Sequence, residues 1–234
     1  MKYFPILLLL ITQVCFGQEK QRIYKFDYLI EYEYQENTEA VTEKRYILTN
    51  SQQSNYKITV KAKDSIYELQ FIDQDGVYGH FSLAKADFYQ AMTFDLNCDI
   101  VTRYRNPYIY KRKEYEFTTI KDTVINSHSF QQYILKYTGK KKKVPHDQHR
   151  IVYLLEKNTS YHLPIFTHPI AYEEWKKEKT LPNGIPRLMY CVQKDQEKFH
   201  SYNLKNIYKI EKFISFNKDC KRLKGSSLPP ILDF

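Results

Sequence analysis

The segment His146-Asp147-Gln148-His149 sets two imidazoles three residues apart beside a carboxylate, the nearest approach in the chain to a metal motif. Histidine and carboxylate are both zinc ligands. Four lysines, Lys140 to Lys143, precede the segment and Arg150 follows it. A divalent cation beside that much positive charge is unfavourable unless further carboxylates fold in, so the segment reads as a solvated loop. His162 and His168 flank a proline-containing stretch and read as ordinary surface or core histidines rather than ligands. Glu173/Glu174 and Asp195/Glu197 are adjacent acid pairs of the residue type that glycoside chemistry uses, and they read as surface helix and turn charges. The sequence has no GxSxG elbow, no HExxH, no paired CxxC, no GxGxxG and no P-loop. It therefore predicts no catalytic residue, no metal and no cofactor, and a protein that is not an enzyme. The alternative is a hydrolase of envelope glycans or lipids.

The element that organises the chain is Ile23 to Tyr34. Its even positions, Tyr24, Phe26, Tyr28, Ile30, Tyr32 and Tyr34, form an aromatic set, and its odd positions are mostly charged. Side chains alternate across a strand, so this pattern predicts a sheet with one aromatic face and one solvent face. Glu43–Thr49, Tyr56–Ala62, Ile66–Ile72 and Val77–Phe81 continue as a meander, with a hairpin turn at Asp73-Gln74-Asp75-Gly76. A short amphipathic helix is predicted over Ser82–Met92, capped by Ser82, and a second over Ala171–Lys179 around Trp175, the single tryptophan. Tyr108–Thr119 reads as a basic strand. Thr123–Ile125 and Phe130–Tyr137 read as a hairpin around residues 126–129. Ile151–Glu156, Arg187–Val192 and Tyr202–Phe216 read as the closing strands.

The totals fit one domain. The chain has 234 residues, a formal net charge of +9, 22 tyrosines and only 6 glycines. Tyrosine suits strands whose rings pack while the hydroxyl reaches water. Residues 1–17 read as a cleaved leader: Lys2, an apolar run from Phe4 to Val14, then Cys15-Phe16-Gly17 before the cut. That run is short for a membrane span. The expected organisation is a signal peptide over 1–17, an antiparallel β domain over 18–216 and a C-terminal tail over 217–234. The expected location is exported, periplasmic or cell-surface; the alternative is lipid anchorage at Cys15. Export permits a disulfide among Cys98, Cys191 and Cys220, with Cys191–Cys220 one pairing and three unbonded cysteines another.

The excess of basic residues falls at Lys140–Lys143, Arg103/Arg105 and Lys111-Arg112-Lys113, the last two interleaved with tyrosine. In an exported protein this points to an anionic envelope polymer, or to a solvated basic face, rather than to nucleic acid.

The layout resembles small exported proteins of the Bacteroidetes group. It is carried by the leader ending Phe16-Gly17-Gln18, the aromatic first strand, the meander with short helices, Tyr133-Ile134-Leu135-Lys136, and the turn Leu181 to Pro186 before a strand. That order is similar to the GLPGLI-type proteins and, more distantly, to outer-membrane lipoprotein carrier proteins, although Leu181-Pro182-Asn183-Gly184-Ile185-Pro186 is not the G-L-P-G-L-I signature. The carrier resemblance implies an incomplete antiparallel barrel with helices as a lid and acyl chains held inside.

The fold expected is mainly β, an antiparallel twisted sheet or incomplete barrel with two or three short helices packed on one face. The function expected is non-catalytic binding of a lipid or lipoprotein in an apolar groove. Phe26, Tyr28, Ile30 and Tyr32 would line the groove from the first strand, with Phe88 and Met92 as its lid.

Overall fold

The computed structural model describes residues 21–120, 122–125, 128–139, 150–192 and 198–220. The leader, the Lys140–Lys143 run with its histidine motif, Asp195, Glu197 and the tail beyond Cys220 lie outside them.

Five strands open the domain: β1 (Gln21–Asn37), β2 (Glu43–Asn50), β3 (Gln53–Ala62), β4 (Ile66–Asp73) and β5 (Val77–Ala84). Then come helix α1 (Lys85–Gln90), β6 (Thr93–Asp95), β7 (Val101–Arg103) and helix α2 (Tyr108–Lys111), which tightens into a 3-10 turn at Arg112–Glu114. β8 (Tyr115–Thr119), β9 (Thr123–Ile125), β10 (His128–Phe130), β11 (Gln132–Tyr137) and β12 (Arg150–Leu155) follow. Helix α3 (Pro169–Glu178), β13 (Pro186–Val192) and β14 (Lys198–Asn217) complete the described chain.

One sheet runs in the order β7-β5-β4-β3-β2-β1-β14-β13-β12-β11-β8 and does not close into a barrel. Its pairings are antiparallel except one: β6 lies parallel to the end of β14, with Phe94 opposite Ile214. β9 pairs with β10 in a separate small hairpin, and β11 joins the main sheet between β12 and β8. The hairpin expected between Thr123–Ile125 and Phe130–Tyr137 is thus two structures rather than one.

The ribbon of β1 and β14 is the axis of the sheet, paired from Gln21↔Asn217 to Asn37↔Phe199. Its register slips twice, between Phe26 and Tyr28 and between Glu31 and Tyr32. Such bulges bend a strand and re-aim its side chains. Tyr24 and Phe26 accordingly join one apolar cluster with Leu29, while Tyr28, Ile30, Tyr32 and Tyr34 join another. The odd positions of β1 are not a solvent face, since Leu29 and Glu31 are buried. Glu31 is held by Lys44 at 2.7 Å, Asn206 at 3.0 Å and Tyr208 at 3.1 Å.

Both faces of the sheet are covered. In β2, Tyr46 and Leu48 face one cluster and Ile47 the other. α1 packs Phe88 on the first cluster, and α3 packs Ile170, Tyr172 and Trp175 on the second. The helices therefore divide between the faces instead of sharing one. No side chain caps the start of α1; β5 runs on to Ala84, so Ser82 lies in a strand. The other end is held by Lys212, whose ammonium donates to the carbonyl oxygens of Phe88 (2.7 Å) and Ala91 (2.6 Å). A lysine at a helix C-terminus satisfies carbonyls that have no intrahelical donor.

Two further expectations change. Tyr108–Thr119 is helical over its first seven residues, because the Asn106 side chain accepts the Tyr108 amide (3.0 Å) and Pro107 starts the turn. The disulfide joins Cys98 to Cys220, and Cys191 is free and buried. The parallel pairing of β6 with β14 brings Cys98 and Cys220 together, and that pairing has no short-range signature in the sequence.

Candidate ligand-binding site

The face that carries Tyr28, Ile30 and Tyr32 is closed by residues 156–186, a segment irregular apart from a 3-10 turn at Lys157–Thr159 and helix α3. Local sequence explains the helix. The His168 side chain accepts the Ile170 amide at 3.0 Å, Pro169 occupies the first turn, and Lys179 takes a left-handed conformation (φ 55) with its amide on Trp175. Every residue from Pro169 to Trp175 is buried. Glu173 and Glu174 are therefore not surface charges. Glu173 accepts Asn106 Nδ2 at 2.8 Å, and Glu174 accepts the Thr180 hydroxyl and the Phe117 amide. Burial raises both carboxyls above the ordinary value. They bond to different groups, and Glu174 lines a cavity of about 490 Å³ with Arg112, Lys177 and Thr180. The pair is not two acids facing each other across a cleft, as hydrolysis of a glycosidic bond requires.

A few buried polar contacts fasten the cover to the sheet. Lys57 of β3 donates to the carbonyl oxygens of Phe166 (2.7 Å) and Thr167 (3.2 Å). Desolvation lowers its pKa to about 7. His162 bonds Thr49 Oγ1 of β2 through Nε2 at 2.8 Å and the Leu163 carbonyl through Nδ1. A carbonyl can only accept, so Nδ1 carries the proton and Nε2 accepts from threonine. Burial lowers the imidazole pKa. The Leu163 amide donates to the Ser51 carbonyl at 2.9 Å, and Ser51 is itself held by Asp27. A void of only about 10 Å³ remains beside Lys57, His162 and Phe166.

The six residues expected to bind a ligand are split by the sheet. Tyr28, Ile30 and Tyr32 lie under the cover, with the Tyr32 hydroxyl on the Pro186 carbonyl at 3.0 Å. Phe26 and Phe88 lie in the opposite cluster, Phe26 edge-on to Tyr56 and Phe88 stacked on Phe94. Met92 is exposed. The helix expected to close over Tyr28 and Tyr32 is thus on the other side, and α3 with residues 160–168 takes that place. Sequence analysis did not single out Lys57, which alternation places with Thr59 and Lys61 on the face opposite Tyr56, Ile58 and Val60. Among the described residues no group of three or more His, Cys, Asp or Glu side chains could hold a metal ion.

No family model matches the chain, and no curated protein does. The GLPGLI resemblance is therefore unsupported. Solved structures do match. MucB aligns with a TM-score of 0.38 and 6% identity, over 78% of this chain and 53% of that one, so the chain spans about half its length. An outer membrane lipoprotein-sorting protein domain from Vibrio parahaemolyticus aligns with a TM-score of 0.32 and 12% identity, over 79% and 85% of the two chains. A LolA superfamily protein from Nitrosomonas europaea aligns with a TM-score of 0.25 and 12% identity, over 78% and 84%.

Proposed function

We propose that this protein is a non-catalytic envelope protein that binds the apolar chain of a lipid or lipid-modified partner between the sheet and residues 156–186. The observation that carries the reading is the construction of that face. A broad wall including Tyr28, Ile30 and Tyr32 is closed by one irregular segment and a single helix, tied down through Lys57 and His162, instead of by a second sheet. Such a cover can lift without breaking a strand ladder. Lifting it would expose an apolar surface with a few polar groups beside it, the composition of a small-molecule pocket. The bond between Cys98 and Cys220 fits an oxidising compartment outside the cytosol. Among the described residues no helix is long and apolar enough to cross a membrane.

Protein purified from the envelope is expected to carry lipid, seen by native mass spectrometry and solvent extraction. A fluorescent fatty acid is expected to bind it with a blue-shifted emission. Lipid-free protein that also fails to bind the probe would overturn the reading.

A further inference from the structure

The covered face carries a polar row at one margin of its apolar cluster. Tyr28, Thr49 and Lys57 are paired in turn across β1, β2 and β3, so their side chains stand side by side on that face. The neighbouring row is Ile30, Ile47 and Thr59. Tyr28, Ile30 and Ile47 belong to the cluster, and none of its buried members comes from β3, so Lys57 marks the edge of the apolar surface. As cross-strand partners, Thr49 and Lys57 have Cβ atoms about 5 Å apart, close enough for one small group to bridge their side chains.

Both polar side chains bond to the cover. Lys57 Nζ donates to the carbonyl oxygens of Phe166 and Thr167, and the Thr49 hydroxyl donates to His162 Nε2. The opening that admits an apolar chain therefore frees these two donors together. Arg45, also a buried cation on this face, differs: its partner is Glu43 of the same strand, at 2.6 Å, and the pair survives when the cover lifts. Lys57 has no carboxylate partner among the described residues. Once the carbonyl dipoles leave and an apolar chain lies beside it, its charge needs a counter-ion to offset the lost hydration.

We infer that the lipid taken up beneath the cover is a long-chain carboxylate, such as a free fatty acid. One carboxylate oxygen would accept from the Lys57 ammonium and the other from the Thr49 hydroxyl. The chain would run from that row over Ile30 and Ile47 towards Tyr32 and Leu204, which are paired across β1 and β14. A carboxylate carries the single negative charge that one lysine matches. The inference rests on the apolar reading above and adds the polar end of the ligand to it.

Dodecanoate and dodecan-1-ol share a chain and differ in the charged group. Their affinities for the intact, oxidised protein are measured by calorimetry at pH 7, below the concentrations at which they aggregate. The wild-type chain is expected to bind the acid about tenfold or more tightly than the alcohol, the scale of one hydrogen bond to a charged group. Lys57→Met is expected to bring the two affinities together and Thr49→Val to narrow the gap between them. Each variant is judged by the ratio, because both side chains also hold the cover and their loss changes the two affinities in common. Equal binding of acid and alcohol by the wild-type chain would overturn the inference and leave the apolar reading standing, even where a variant does not fold. Binding of neither would remove both. A ratio unchanged in folded Lys57→Met would trace the preference to the overall positive charge of the protein and overturn the inference, as would tighter binding of dodecyl phosphate than of dodecanoate.

Discussion

The ammonium nitrogen of Lys57 lies 2.7 Å from the carbonyl oxygen of Phe166, and among the described residues no carboxylate pairs with it. A lysine buried without an acid is held only by the dipoles of the segment that covers it. Its charge is therefore carried at the expense of the closed structure, and it gives up the proton near neutral pH, at about 7.

The sign of the resulting pH dependence follows from linkage. The folded pKa is about 7 and the ordinary value 10.5, so between these limits the unfolded chain binds more protons than the folded one. Stability then rises with pH across that window, by about 3 kcal/mol at most between pH 7 and 9.5. Lys57→Met lacks this gain. Denaturant midpoints measured for both proteins at pH 6.5 and 9.5 are expected to favour wild type more strongly at the higher pH. A constant difference between them would refute the assignment.

The Cys98–Cys220 bond spans 122 residues of sequence. In the chain-entropy account a loop of that size contributes about 5 kcal/mol by restricting the unfolded state. Replacing both cysteines by serine is expected to lower stability by about that amount. Cys191 is expected to resist Ellman's reagent in the native protein, because it is buried and its thiol is pushed up to about 12, and to react once the chain is denatured. Fast labelling of native protein would place that thiol at the surface instead.

Asp73 shows how much polar structure alternation hides. Fully buried, it accepts Arg22 and the Tyr24 hydroxyl at 2.6 Å each on one oxygen, and Asn55 and the Asp75 amide on the other. Read from sequence, it is a turn residue beside Gly76. Asp73→Ala leaves those donors without their acceptor and is expected to cost about 3 kcal/mol. Chemical denaturation against wild type checks this. A loss below about 1 kcal/mol would mean that solvent replaces the carboxylate.

The parts of the fold legible in the sequence are those set by local pattern. The meander β1–β5 follows from period-two alternation and from the Gly76 turn, and α3 is close to the short helix read over Ala171–Lys179 around Trp175. What escaped depends on partners distant in sequence. The slip between Phe26 and Tyr28 arises only when β14 pairs with β1, and it parts an aromatic set that looked continuous. Lys57 and Lys61 look alike in sequence, and only the cover over one of them tells them apart. Glu173 and Glu174 were concealed by their own polarity. The helix that carries them is buried along its first seven residues, and its acids find partners on α2's flank and on β8. Only the Asn106-Pro107 pair carried a missed local signal, a helix start that basic alternation outweighed.

His162 extends the argument from one lysine to the whole cover. It is buried in its neutral form, with a pKa held below the ordinary 6.5 mainly by desolvation, against the raising effects of the Leu163 carbonyl and Asp27. A histidine with a lowered pKa loses its contribution to stability as the pH falls through the ordinary value, since the opened state takes the proton more readily. Lys57 acts in the same direction over a higher window. Both fasten residues 162–167 to β2 and β3, so acid favours opening of this segment ahead of the sheet. Native-state hydrogen exchange, corrected for intrinsic rates, is expected to show the Leu163 amide losing protection between pH 7.5 and 5.5 while amides in the β1–β14 ladder keep theirs. His162→Gln, which can still bond to Thr49, is expected to remove the part of the response below pH 6.5 and leave the part due to Lys57. Equal loss of protection in cover and ladder would show that acid unfolds the domain as one unit, and the cover would then not be a separately opening element.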